Sequence, residues 1–492
     1  QFFNFFSKMS GSGRTLLEAL KHWTSVQPDK VLHIFIDDKG NEVEQLTYQS
    51  LDEKSSLLAS TIRTSWNINA GDRILLVFPP CLDFIVSFYA CLKAGVIAVP
   101  VFPPDPRGGR NKKDVVMFTK IQRTCNAKVA LTNTTYNFAK KVGNFKDLFS
   151  TDKSNQWPEL MWHVVDNATD LLTSSTSTTS NYANANIHSP AFLQFTSGST
   201  SDPKGVIVTH DNLAHNLDLI VTSLKAKDDT MVVSWLPLYH DMGLIGSFLG
   251  ALYCGGSGVY MSPVSFIKNP PLWVETISKY RGTHMQAPNF AYGLTARKFL
   301  ALAKSKRPSN LDLSSVRHMI NAAEPVRLED ISMFNAVFEM YGLPSNVIFP
   351  TYGLAEHTLF VCSNGKQVLN VDRNALEKGK VIIIDASTTT STTLMDQSKA
   401  STVAVVGCGY PKESERSMID VRIVKHKGIG QDSPSQDDSQ DSDSVGVELP
   451  DLEVHIFSYY LLFTRYSVSA CICFSTTYLS LSINVSVLFG VY

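Results

Sequence analysis

Apolar positions along the chain follow two spacings, and their alternation predicts the fold class. Leu16–Trp23 and Leu46–Ser65 carry apolar residues at helical spacing; in the second, Leu51, Leu57, Leu58 and Ile62 share one face. Ile74–Phe78 is a continuous apolar run. Leu82, Ile85, Val86, Tyr89 and Leu92 then recur at helical spacing, Gly95 closes that helix, and Val96–Val101 is apolar again. Strand, helix, strand, with strands apolar on both faces, predicts a parallel sheet covered on both sides. Further short strands are predicted at Val31–Ile36, Val129–Thr132, within Trp157–Asp166, and at Ala191–Phe195, Val206–Val208 and Met231–Trp235. Others follow at Gly258–Met261, His284–Gln286, Val316–Ile320 and Val347–Phe349, and Asp211–Val221 reads as a helix. The fold class is therefore α/β, with more than one parallel or mixed sheet. From Val381 the pattern turns to β, at Val381–Ile384, Val403–Val406 and Val421–Val424.

Composition narrows the function classes. A chain of 492 residues exceeds what one core holds, about 250–300 residues, so two or three subdomains are expected. A hydrophobic fraction of 44% excludes disorder of the whole. Lys+Arg total 44 against 45 Asp+Glu, so no basic field exists to hold nucleic acid. The 8 cysteines form no CxxC pair and no Cys/His metal framework; buried free thiols in a reducing, cytoplasmic setting are expected. Gln1–Ser10 lacks the basic start and cleavage site of a secretory signal. Met9 is the first methionine, and residues 1–14 are expected to be a disordered, partly non-native start. Thr173–Ser180 and Ser387–Thr393 are hydroxyl-rich linkers, and Gly430–Ser444 is an acidic low-complexity loop.

The strongest chemical signal is Phe192–Gly205, FLQFTSGSTSDPKG. A predicted strand runs into Thr196, Ser197, Gly198, Ser199 and Thr200, then Pro203-Lys204-Gly205 opens another strand. A polyphosphate needs many donors at close range. Gly198 lets the backbone approach, four hydroxyls donate, and Lys204 adds positive charge. The spacing is not that of a Walker loop. The bland alternative, a hydroxyl-rich surface turn, suits Thr173–Ser180 but not a run framed by strands and closed by Pro-Lys-Gly.

This run resembles the signature of the adenylate-forming enzymes. Ser234–Gly246 (SWLPLYHDMGLIG), Asn321–Val326 (NAAEPV) and Thr351–Glu356 (TYGLAE) match further motifs of that superfamily in its order. Within it, the chain is most similar to the fatty acyl-AMP ligases, with Gln194 before the phosphate loop, Val371–Val381, and an extended segment from Cys362 to Thr402 in the style of their insertion. The resemblance implies the superfamily's N-terminal domain: two α/β subdomains over residues 15–380 and a partial β subdomain over 381–454. It implies activation of a fatty acid with ATP and Mg²⁺ to an acyl-adenylate, releasing pyrophosphate. The acyl group would pass to the phosphopantetheine arm of an acyl carrier protein or polyketide synthase, because the insertion disfavours coenzyme A.

By the same resemblance, Thr196–Thr200 and Lys204 would hold the β- and γ-phosphates, Thr351 would contact the α-phosphate, and Glu356 would bind Mg²⁺. Tyr352, beside Gly353, would stack on adenine. Ala323, Glu324 and Pro325 would form the opposite wall, and Asn321 would offer adenine a polar contact. Ala322 stands where the family often has Gly. His240 would gate the acyl carboxylate; the alternative is a packed histidine at a strand–helix junction. Asp241 reads as a helix cap. Met242, Leu244, Ile245 and Phe248, with residues after His284-Met285-Gln286-Ala287-Pro288, are candidates for the acyl tunnel, although such a stripe is also what plain core looks like. Two rival functions stay open: an acyl-CoA synthetase, and a non-catalytic acyl- or nucleotide-binding module.

The match stops near Glu453. The family's ribose-binding Asp and the small C-terminal domain with its catalytic Lys do not follow, which predicts weak ATP binding and slow or absent adenylation by this chain. In Ile456–Tyr492 only Arg465 is charged. Residues 455–492 are expected to be translated non-coding sequence. A membrane anchor or a genuine β ending is the alternative, and a membrane role would require this tail to be native.

Overall fold

The computed structural model describes residues 14–105, 112–147, 157–166, 186–196, 202–303, 305, 307–308, 310–377, 382–384, 402–409, 420–425, 454–457, 460–463 and 485–490. Ser197, Gly198, Ser199 and Thr200, the first thirteen residues, both hydroxyl-rich linkers and the acidic loop lie outside them. Two compact units emerge. The first comprises Gln1–Met285 with Pro308–Val316, and the second Gln286–Arg307 with Arg317–Tyr492.

In chain order the first unit holds α1 (Leu16–Val26), β1 (Val31–Ile36), β2 (Glu42–Thr47), α2 (Tyr48–Thr64), β3 (Arg73–Leu76), α3 (Asp83–Ala94) and β4 (Ile97–Pro100). There follow α4 (Lys112–Cys125), β5 (Val129–Thr132), α5 (Thr134–Asp147), β6 (Met161–Val164), β7 (Pro190–Thr196), β8 (Lys204–Thr209), α6 (His210–Ser223) and β9 (Met231–Ser234). A π-helix (Met242–Leu249), β10 (Ser257–Met261), α7 (Pro271–Tyr280) and the start of β11 (His284–Pro288) complete it. One sheet runs β6-β5-β3-β4-β7-β8. It is parallel up to β7, and β8 returns antiparallel as its edge. The other sheet contains β9, β10 and β1 in parallel, β2 antiparallel at one side, and His284 of β11 paired with Val232.

Local chemistry explains these elements. Ile74, Leu75 and Leu76 of β3 are wholly buried, as a strand covered on both faces requires. Gly95 ends α3 at φ 69°, its N–H reaching the Cys91 and Leu92 carbonyls, a conformation that favours glycine. The helix expected from Leu46 begins at Tyr48 instead. Thr47 and Ser50 cap it reciprocally, and Glu42–Thr47 forms a strand. That strand escapes pattern reading because its outer residues are exposed and acidic rather than apolar. Helices α4 and α5 are also absent from the predicted elements, although Phe118, Ile121 and Cys125 of α4 recur at helical spacing and are buried.

The second unit contains α8 (Asn289–Ala301), β12 (His318–Ala322), α9 (Leu328–Phe338) and β13 (Ile348–Pro350). Parallel pairing sets Met319, Ile320 and Asn321 opposite Ile348, Phe349 and Pro350. The hairpin β14 (Tyr352–Gly353) and β15 (Phe360–Cys362) follows. Next, β16 (Val368–Asp372) pairs antiparallel with β17 (Thr402–Val406). The strand expected at Val381–Ile384 reduces to one bridge, Ile383 to Val371. In the late chain Asp420–Lys425 pairs with Val485–Gly490, and Val454–Phe457 with Tyr460–Phe463. Among the described residues no helix is long and apolar enough to cross a membrane.

One buried group in the first unit sets an acid sensitivity. His33 of β1 is wholly buried against Phe248 and Tyr260, and neither ring nitrogen has a partner. Burial pushes its pKa down to about 3. An unfolded histidine takes its proton near pH 6.5, so folding opposes protonation between these values. Stability should therefore fall as pH drops through this window, by up to about 1.4 kcal/mol per pH unit, with no contribution above it. His33→Leu is expected to flatten this slope in urea midpoints followed from pH 7 to pH 4; an unchanged slope would refute the assignment.

Candidate active site

In the first unit, the hairpin of β7 and β8 frames the phosphate-loop sequence. Its last cross-strand pair is Thr196 with Lys204, so both ends of the Ser/Gly run are fixed in register. Thr196 is half-buried and Lys204 exposed. Gly205 faces Phe195, and a Cβ there would lie 2.9 Å from the ring, so the aromatic covers the glycine. Asp202, just before the hairpin resumes, pairs with Lys120 at 2.7 Å.

The same hairpin holds the His240 turn. Gln194 of β7 is 2% exposed, and its Nε2 donates to the Tyr239 carbonyl at 2.9 Å. Its Oε1 is buried without a partner. Tyr239 meets Phe102 edge-on, with centroids 5.3 Å apart. His240 follows with an exposed side chain in crowded surroundings. Desolvation lowers its pKa and Asp241 opposes the shift, so the imidazole is neutral at pH 7. Asp241 Oδ1 accepts the Met242 N–H at 2.7 Å, the geometry of a helix cap.

The helix that follows is π-type, with every residue of Met242–Leu249 buried. Such wide turns are rare and recur at functional sites. Gly243 is required because a Cβ would collide with the Pro237 carbonyl oxygen. Met242, Leu244, Ile245 and Phe248 are all buried, and Phe248 stacks on Tyr260 with centroids 3.5 Å apart.

In the second unit, β12 ends at Ala322, and Ala323 turns the chain in the left-handed region, φ 67°. For a residue with a Cβ this costs roughly 1–2 kcal/mol. Ala323 and Glu324 are exposed and Pro325 half-buried. Glu324 Oε1 accepts the Phe290 N–H at 2.5 Å, capping α8, a role the sequence did not suggest. Asn321 is wholly buried; its Nδ2 donates to Asn289 Oδ1 at 3.0 Å, while its Oδ1 has no partner.

Past β13, the Thr351 N–H donates to the Asn321 carbonyl, and its hydroxyl lies 3.0 Å from the Phe349 carbonyl and 2.7 Å from Ser363 Oγ. Tyr352 packs on Val361, Cys362 and Cys408, and burial raises the pKa of its phenol. A Cβ on Gly353 would strike the Leu359 carbonyl, so only glycine fits. Glu356 stands exposed on a short 3₁₀ turn, two residues before Thr358, a β-branched residue at φ 67°. Among the described residues no group of three His, Cys, Asp or Glu side chains is placed to hold a metal.

The profile of the AMP-binding enzyme family matches residues 20–397. The chain belongs to this family. It is 34% identical over 401 residues to a medium-chain-fatty-acid–[acyl-carrier-protein] ligase, JamA, of Moorena producens, covering 81% of this chain and 63% of that one. It is 31% identical over 385 residues to the long-chain-fatty-acid–AMP ligase FadD32 of Mycolicibacterium smegmatis, covering 76% and 58%. Among solved structures it matches the fatty acyl-adenylate ligase of Legionella pneumophila in complex with acyl adenylate and pyrophosphate, at 30% identity and a TM-score of 0.66, covering 83% and 65%. This chain thus spans about three fifths of the length of these curated AMP-binding relatives. Its mixed α/β sheets are those of the N-terminal domain of adenylate-forming enzymes.

The Gln194–Tyr239 bond links strand β7 to the turn that carries His240. Gln194→Leu removes the donor to the Tyr239 carbonyl, at a cost of about 1–3 kcal/mol. Amide exchange around residues 238–244 is expected to accelerate about tenfold or more, with β3 and β4 unchanged. Unaltered exchange at that turn would show that the bond does not hold it.

Proposed function

We propose that this AMP-binding chain is the nucleotide- and acyl-binding part of an enzyme that activates a fatty acid as an acyl-adenylate and serves a carrier-protein thiol. The observation that carries the reading is the Thr196–Lys204 register, which presents a cation and a hydroxyl at the two ends of a Ser/Gly run. The relatives' printed activities, fatty-acid–AMP and fatty-acid–carrier ligation, supply the substrate class.

The reaction needs positioning and charge neutralisation more than covalent catalysis. A carboxylate oxygen attacks the α-phosphorus of ATP; the bond to the bridging oxygen breaks and pyrophosphate leaves. The carrier thiol then attacks the carbonyl carbon and AMP departs. Thr196, Ser197, Gly198, Ser199, Thr200 and Lys204 hold the β- and γ-phosphates by donation, with Lys204 supplying the positive charge. Thr351 contacts the α-phosphate by exchanging one of its present hydrogen bonds. Tyr352 and Gly353 form one face of the adenine site, with Ala323, Glu324 and Pro325 opposite. The unpartnered, buried Asn321 Oδ1 is an acceptor of the kind the adenine amino group needs. Neutral His240 orients the acyl carboxylate, and Met242, Leu244, Ile245 and Phe248 line the acyl chain's path. Glu356 suits Mg²⁺, which takes one or two carboxylates together with substrate phosphates rather than a protein cage. The six described cysteines are all buried, in keeping with a cytoplasmic setting.

Titration of the purified chain tests the reading. It should bind ATP, pyrophosphate and a non-hydrolysable acyl-adenylate analogue. Lys204→Ala should weaken pyrophosphate binding about tenfold or more, the worth of a charge-assisted hydrogen bond, without unfolding, since Lys204 is exposed. Acyl-chain binding with no nucleotide binding would instead favour a non-catalytic module. Transfer to free coenzyme A as fast as to a holo carrier protein would overturn the choice of acceptor.

A further inference from the structure

We infer that Asn289 is a positioning residue for the adenine side of the site, acting as a clamp across both ends of the Ala322–Val326 segment; this rests on the nucleotide reading above. Asn289 opens α8 and is 3% exposed. Its Oδ1 accepts two bonds of 3.0 Å, one from Asn321 Nδ2 before the segment and one from the Arg327 N–H after it. Its Nδ2 donates to Asp330 Oδ2 at 2.8 Å. Every polar atom of the carboxamide therefore has a stated use, and the amide orientation follows from its partners.

The surroundings serve this arrangement. Asp330, in the first turn of α9, reaches back over Gly293 of α8 and also meets Arg297 at 3.3 Å. A Cβ at 293 would collide with the Asp330 carboxylate, which accounts for a glycine inside a helix, where it costs about 1 kcal/mol against alanine. The next residue, Phe290, donates its N–H to Glu324, and the Tyr292 hydroxyl donates to the Ile320 carbonyl at 2.6 Å. The N-terminal turn of α8 thus grips the segment before, within and after its turn. The left-handed Ala323 lies between the clamped ends. A non-glycine residue keeps that conformation only where its neighbours over-determine it. Asn289 also fixes Asn321, whose carbonyl receives Thr351, so one side chain bears on both motifs of the second unit.

The test separates the adenine side from the phosphate side. Wild type, Asn289→Ala, Asn289→Asp, Asp330→Asn and the double swap Asn289→Asp with Asp330→Asn are titrated with AMP and with pyrophosphate. Asn289→Ala and Asn289→Asp should weaken AMP at least fivefold and leave pyrophosphate within twofold. The swap restores a donor–acceptor pair at the Asp330 contact and keeps the Oδ1 acceptor, so AMP affinity should return to within about threefold. AMP binding unchanged in Asn289→Ala, or equal losses for AMP and pyrophosphate, would overturn the clamp. Should Asn289→Ala fail to fold, the swap decides: a folded double variant without recovery overturns it. A wild-type chain that binds neither ligand would defeat the nucleotide reading itself, a distinguishable result.

Discussion

Strands buried on both faces leave chemistry nowhere to go but their ends. In β3, β4 and β12 nearly every side chain is enclosed, and the backbone groups are spent on neighbouring strands. The candidate residues accordingly follow carboxyl ends of strands. Thr196 closes β7, His240 lies past β9, Asn289 follows β11, Ala323 and Glu324 follow β12, and Thr351 follows β13. Open α/β sheets place ligands at such ends for this reason. The helices matter chiefly because their packing lets those strands be buried.

Loops at strand ends need holding, and here buried carboxamides do it. Gln194 ties the phosphate-loop strand to the carbonyl before His240, and Asn289 ties the two ends of the segment after β12. A carboxamide suits this work. It donates and accepts without the desolvation cost of a buried charge, and leaving either group unpaired is costly. Ala323, held at positive φ, lies inside the segment whose ends Asn289 holds. The unpartnered oxygens of Gln194 and Asn321 add uncompensated polarity at the same places. Within the second unit, backbone strain at Ala323 and the unmet Asn321 oxygen occur close together in the chain, a combination that directs attention to this segment.

Much of this was legible in the residues. Continuous apolar runs marked β3 and β4, Gly95 marked the end of α3, and the Ser/Gly run with Pro-Lys-Gly marked the hairpin of β7 and β8. Asp241 was readable as a cap. Less was legible where burial and polarity disagree. The strand β2 is exposed at four of its six positions and acidic at Glu42 and Glu44, so it carries no apolar period. The apolar stripe after His240 matches an ordinary helix as well as the π-helix observed, because periodicity alone does not separate the two over a few turns. Asn289 and Asp330 carried no local signal for the bonds they make.

The sequence by itself determined the α/β class, the family, and which residue types stand at each strand end, because those depend on local spacing and side-chain chemistry. Only the tertiary structure decided what those side chains touch. It set the Glu324 carboxylate on the Phe290 N–H of α8, engaged the hydroxyl of Thr351 with Ser363, and buried Asn321 against Asn289. The reason is physical: a hydrogen bond is set by where two groups meet in space, and residues far apart along the chain carry no local mark of that meeting.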